Sequence, residues 1–166
     1  MRTFLPCIVA LAAATAACAA LPGHSDRLDC ATAGADTTGW ARVADSSGFS
    51  FLLPPGFREN KVQPVDSHVR GFEADGLSLS LDFGHAPAEP RAAVDSLDAH
   101  LECPARIGGH DAVITLTWPD RLAYGVAATW PDVSGGMRLW IGGAANTPNG
   151  QRALLTVLRS VRFSQP

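Results

Sequence analysis

The sequence predicts an α+β fold, an antiparallel sheet of about six or seven strands covered by a C-terminal helix. Three stretches carry that reading. In Phe49–Phe57, FSFLLPPGF, the side chains of Phe49, Phe51 and Leu53 alternate with Ser50 and Leu52 and share one face of a strand. Between Asp111 and Gly143, three runs place apolar residues at alternate positions and are joined by short connections containing Pro or Gly, the pattern of a meander. After Thr147-Pro148, the residues Leu154, Leu155, Leu158 and Val161 recur at helical spacing.

In chain order, Trp40–Val43 is expected as a short strand, and Asp45-Ser46-Ser47-Gly48 as the turn into the Phe49 strand. Pro54 and Pro55 cannot both donate to a ladder and Gly56 permits a tight turn, so the strand ends there and Phe57 turns back towards the core. Arg58–Val65 is polar and reads as a loop. Ser67–Glu73 reads as a weaker strand with Val69 and Phe72 as its apolar residues. Leu77, Leu79, Leu81 and Phe83 alternate with Ser78, Ser80 and Asp82, a half-buried strand ended by Gly84, Pro87 and Pro90. A mid-chain helix over Ala92–Glu102 is a further candidate, with Val94, Leu97 and Leu101 on one face.

The meander strands are placed at Asp111–Trp118, Leu122–Trp130 and Met137–Gly143, with Pro119-Asp120-Arg121 and Pro131–Gly136 between them. Thr147 is the expected N-cap of the last helix and Pro148 its first residue. Arg152, Thr156 and Arg159 lie away from the apolar stripe. That stripe must cover a face of the sheet, because a lone amphipathic helix of this length is marginal in water.

The 166 residues fit one domain plus a targeting segment. Twelve Arg stand against the single Lys61, but the formal net charge is only −3. No basic patch suits a phosphate backbone, so nucleic acid is not an expected partner.

Met1-Arg2-Thr3 supplies a positive start and Phe4–Ala14 an apolar stretch of secretory length, too short to span a bilayer. Residues 1–17 are therefore expected as a signal peptide, 18–39 as a tether and 40–166 as one domain. Thr15-Ala16-Ala17-Cys18 resembles a bacterial lipobox, departing from it at Thr15, where Leu is usual. Cys18 would then carry lipid, and two or more acyl chains make such an anchor durable. The alternative is cleavage at the A-x-A site Ala17-Cys18-Ala19, which discards Cys18. Cys7 leaves with the leader, so Cys30 and Cys103 remain as a pair under either processing. In an oxidising compartment they are expected to form a disulfide pinning the N-terminal arm; the alternative is two free buried thiols.

The order of elements has a counterpart. A strand ending in Leu53-Pro54-Pro55-Gly56-Phe57, hairpins, a meander and a terminal helix running into Leu158-Arg159-Ser160-Val161-Arg162-Phe163 resembles the PsbP-like domains. These form an α/β/α sandwich group that includes an extrinsic photosystem II subunit and many bacterial envelope proteins. Asp66-Ser67-His68-Val69, Phe72 and Asp82-Phe83-Gly84 also resemble a pattern in uncharacterised bacterial exported proteins. Neither resemblance brings catalytic residues. Together they imply a non-enzymatic accessory domain at a membrane surface.

Reaction chemistry finds little purchase. Asp66, Ser67 and His68 are the residue types of a hydrolase triad, but neighbours on a strand point to opposite faces and no G-x-S-x-G elbow surrounds Ser67. Asp82-Phe83-Gly84 spells a kinase magnesium motif without the phosphate loop or catalytic loop that give it meaning. His85, His100 and His110 follow no metal-ligand spacing and read as exposed loop residues. The Gly108-Gly109, Gly135-Gly136 and Gly142-Gly143 pairs read as turns or bulges. Trp118 and Trp130 fall on core faces, leaving Trp140, with Arg138 beside it, as candidate contact residues.

The expected function is that of an exported, lipid-anchored envelope protein with a non-catalytic binding domain. It would need no cofactor or metal, and its partners would be the membrane and an envelope protein. The alternative is a soluble periplasmic hydrolase-like enzyme or a small-ligand-binding protein.

Overall fold

The computed structural model describes residues 27–62, 67–85, 100–118 and 123–164. The leader, Cys18 and its cleavage site, Asp66, the connection at Pro119-Asp120-Arg121 and most of the proposed mid-chain helix lie outside them. Ten strands and one helix are present among the described residues: β1 (Ala41–Ala44), β2 (Phe49–Leu53), β3 (Arg58–Asn60), β4 (His68–Ala74), β5 (Leu77–Gly84), β6 (His100–Ile107), β7 (His110–Thr117), β8 (Tyr124–Ser134), β9 (Met137–Ala145), α1 (Pro148–Arg159) and β10 (Arg162–Phe163).

One layer is a seven-stranded antiparallel sheet in the order β3-β4-β5-β9-β8-β7-β6. The meander β7-β8-β9 is as expected, with Ile114 opposite Ala128 and Ala128 opposite Ile141. Leu79, Leu81, Leu116, Val126, Trp130, Leu139 and Ile141 make its buried face. The second layer is α1 lying beside a three-stranded sheet ordered β1-β2-β10. β2 turns Phe49, Phe51 and Leu53 onto the large sheet, where Phe51 meets Phe72 edge-on at 5.8 Å and Phe49 lies 6.0 Å from Phe83.

Thr147 caps α1 as expected: its Oγ1 accepts from the Gly150 N–H at 3.1 Å and Pro148 follows. The helix is buried more widely than its stripe foretells, because Gln151, Thr156 and Val157 are covered as well. At its C-terminus the Ser160 hydroxyl donates to the Val157 carbonyl at 2.7 Å and accepts from the Leu52 N–H at 2.7 Å. Ser160 thus takes over the edge of β2 just beyond the two residues that β10 covers.

Several expectations need correction. Arg58–Asn60 is a strand, because its backbone pairs with β4 although all three side chains are exposed. His100, Leu101 and Glu102 are the start of β6 and not the end of a helix; Leu101, Cys103, Ala105 and Ile107 point inward at period two. Pro104 hides this pattern in the sequence and is tolerated because β6 is an edge strand. Pro131–Ser134 extends β8 through a register shift, and only Gly135-Gly136, with φ of 57° and 79°, make the turn. Gly142 and Gly143 are interior to β9, where the Trp140 indole lies over Gly142 and leaves no space for a Cβ. His100 and His110 likewise sit on strands and not in loops.

Candidate functional site

The densest polar cluster joins the two layers. The turn after β1 is held by the Asp45 N–H donating to the Phe49 carbonyl at 2.8 Å and by Asp45 Oδ1 accepting from the Ser47 N–H at 2.8 Å. This aims Oδ2, on a side chain with no solvent exposure, at β4. Asp45 Oδ2 accepts from Arg70 Nη1 at 3.0 Å and lies 3.1 Å from His68 Nε2. Arg70 also donates from Nε and Nη2 to both oxygens of Glu59 on β3, each at 2.8 Å, and stacks over Phe72 at 5.0 Å. The strand period makes this possible. His68, Arg70 and Phe72 share the core face of β4, opposite Phe83, Leu81 and Leu79 on β5. Val69 pairs with Asp82 and faces the other way, so Phe72 is the core residue of this strand and Val69 is not.

Burial pushes the Asp45 carboxyl up, but the Ser47 N–H, Arg70 and His68 outweigh it and hold the group below the usual carboxylate range. The Arg70 hydrogen bonds hold Glu59 down, and Glu59 in turn holds Arg70 above its ordinary value. A carboxylate beside a histidine is two-thirds of a nucleophile-activating triad. Here Arg70 takes the carboxylate oxygen that faces the ring, and Ser67 points across the sheet to pack its Cβ against Gly84. The cluster acts as an electrostatic clamp between the β1–β2 turn and the β3–β4 edge. Its partners come from three separate stretches of chain, and no local motif announces them.

The N-terminal arm forms a second assembly. Cys30 and Cys103 are joined by the expected disulfide, with 5.6 Å between their Cα atoms, tying the arm to β6. Arg159 donates to the carbonyls of Thr32 at 2.6 Å and Cys30 at 2.9 Å, and the Ala35 N–H donates to Thr156 Oγ1 at 2.7 Å. Leu28 is buried and Arg27 lies over the Trp118 ring at 5.4 Å. From Arg27 onward, then, the stretch read as tether is laid along the polar side of α1. Thr156 and Arg159 are the docking residues, and in the sequence they look like an ordinary solvated helix face.

Arg138 and Trp140 lie on the face of the large sheet turned away from α1. In register Trp140 stands between Asp82 of β5 and Thr129 of β8, and Arg138 opposite Gly84. Both are half-buried, among the small residues Ser78, Ser80, Ala127, Gly142 and Ala144. The same face carries a shallow groove lined by Pro104, Arg106, Asp111, Val113 and Pro131, with Val113 38% exposed. Trp130 is fully buried and Trp118, just past β7, is half-buried and packed against the core, both on core faces as expected. His85 and His100 are exposed and His110 packs on the Phe163 ring at 4.5 Å, so the three do not converge. Among the described residues no helix is long and apolar enough to cross a membrane.

No protein-family model and no curated protein matches the chain. Among solved structures, the solution structure of cyanobacterial PsbP (CyanoP) from Synechocystis sp. PCC 6803 superposes with a TM-score of 0.53 at 13% identity, covering 75% of this chain and 92% of that one. The fold is PsbP-like. At that identity the likeness concerns the fold and no individual residue.

Proposed function

We propose that this PsbP-like chain is an exported envelope protein, anchored through lipid on Cys18, whose domain binds an envelope partner without catalysing a reaction. The Cys30–Cys103 disulfide carries the reading. It follows a secretory-type leader closely, and such bridges persist where the surroundings are oxidising. The non-catalytic part is supported by the Asp45–His68 pair, whose carboxylate is engaged by Arg70 and whose neighbouring Ser67 faces away. The face bearing Arg138 and Trp140 is the contact surface this reading assigns.

The test is the intact mass of the mature protein from a membrane fraction, before and after reduction. The expected mass begins at Cys18 with acyl groups added and rises by about two hydrogens on reduction. A mass beginning at Ala20 overturns the lipid anchor and makes the protein a soluble exported one.

A further inference from the structure

The disulfide joins two residues in unlike surroundings: Cys103 is 3% exposed on β6, whereas Cys30 stands in solvent on the arm. Beyond Cys30 the arm is thinly held. Ala31–Gly39 are exposed or half-buried, and among the described residues their polar ties to the domain are the bonds to Arg159 and Thr156. Among the described residues of the arm, Leu28 is the hydrophobic side chain that joins the buried core, which the two sheets and α1 otherwise build. The bridge is the covalent tie between the described arm and the domain; beside it stand these hydrogen bonds, the buried Leu28 and the Arg27–Trp118 contact.

We propose that the Cys30–Cys103 bridge is a reducible latch that sets how much of the N-terminal chain is free, opened by a dithiol attacking Cys30 Sγ. The entering thiolate bonds to Cys30 Sγ, the disulfide breaks, and the electron pair leaves on Cys103 Sγ, which takes up a proton. The second thiol of the reductant attacks the mixed disulfide and releases Cys30 as a thiol. The dithiol departs as a disulfide, having supplied both electrons. Attack at Cys30 follows from access, since Cys103 is shielded.

The consequence for reach rests on the lipid-anchor reading. Closed, the chain is held from Arg27, and the nine residues from Cys18 to that point set a reach of at most about 30 Å. Open, it is free as far as Trp40, and the span rises to about 75 Å. Reduction more than doubles the greatest distance from the membrane at which the domain can meet a partner.

Backbone hydrogen exchange on the mature full chain, with dithiothreitol as the dithiol, tests the latch. The expected result is about a tenfold or greater rise in exchange at the Ala35 amide, whose N–H is bonded to Thr156, while the centres of β7, β8, β9 and α1 stay protected. Cys30→Ser should show the same pattern without reductant. Limiting glutathione should leave its adduct on Cys30. Unchanged exchange in the arm, loss of protection throughout the domain, or an adduct on Cys103 would each overturn the proposal. An intact mass lacking acyl groups overturns the anchor reading and the reach, a result separate from arm exchange.

Discussion

Ser160 shows how much one small side chain can hold. Its hydroxyl satisfies the Leu52 N–H and the Val157 carbonyl together, coupling the end of α1 to the edge of β2. Ser160→Ala leaves that part-buried N–H without its partner, and losing a bond of this kind costs about 1 kcal/mol. The loss should appear as a lower urea midpoint with an unchanged slope. Asp45 makes a different argument. Its pKa and that of Glu59 are depressed on folding, so the unfolded chain binds protons more readily. Their contribution is full above the ordinary carboxylate pKa values and is lost as pH falls through the lower folded values. Stability measured by urea titration should therefore drop below about pH 4. Asp45→Asn, which keeps the shape but loses the charge facing Arg70, should flatten that drop and lower stability at neutral pH. Neither role is legible in the sequence, where Ser160 is one generic residue and the side-chain partners of Asp45, His68 and Arg70, lie together on a distant strand.

At the scale of elements, legibility follows the source of each element's stability. β2, β5, β7, β8, β9 and α1 are held by apolar side chains at the period of their structure, and those are the elements the sequence announces most plainly. β3 is held by backbone pairing alone and β6 carries Pro104, so their patterns are silent or broken. Gly142-Gly143 looks like a turn because glycine usually is one; inside β9 it makes room for Trp140 and for the Ser78 carbonyl of β5. Gly142→Ala must displace the indole. It should cost about 1–3 kcal/mol and red-shift tryptophan fluorescence as the ring moves into water. A variant of unchanged stability and emission would show that the indole does not rest there.

For the whole molecule, the sequence anticipated the sheet, the terminal helix and the cysteine pair, but not where the N-terminal chain ends and the domain begins. That boundary depends on Arg159, Thr156 and Cys103, none of which is near the arm in sequence. The bridge encloses a separation of 73 residues, taking in β1 to β5 and the first half of β6. Closing so long a loop removes much of the freedom of the unfolded chain, and the entropy model puts its stabilisation at about 4–5 kcal/mol. For a domain of this size that corresponds to a fall in Tm of roughly 10–20 °C on reduction. The denaturant slope separates this cause from a loss of native contacts. If the bridge acts on the unfolded state, the reduced chain expands further and exposes more surface, so the slope should rise as the midpoint falls. If the loss lies in the arm's contacts with α1, the midpoint falls at constant slope. Arg159→Ala in the oxidised protein, which removes those contacts and keeps the loop closed, should follow the second course.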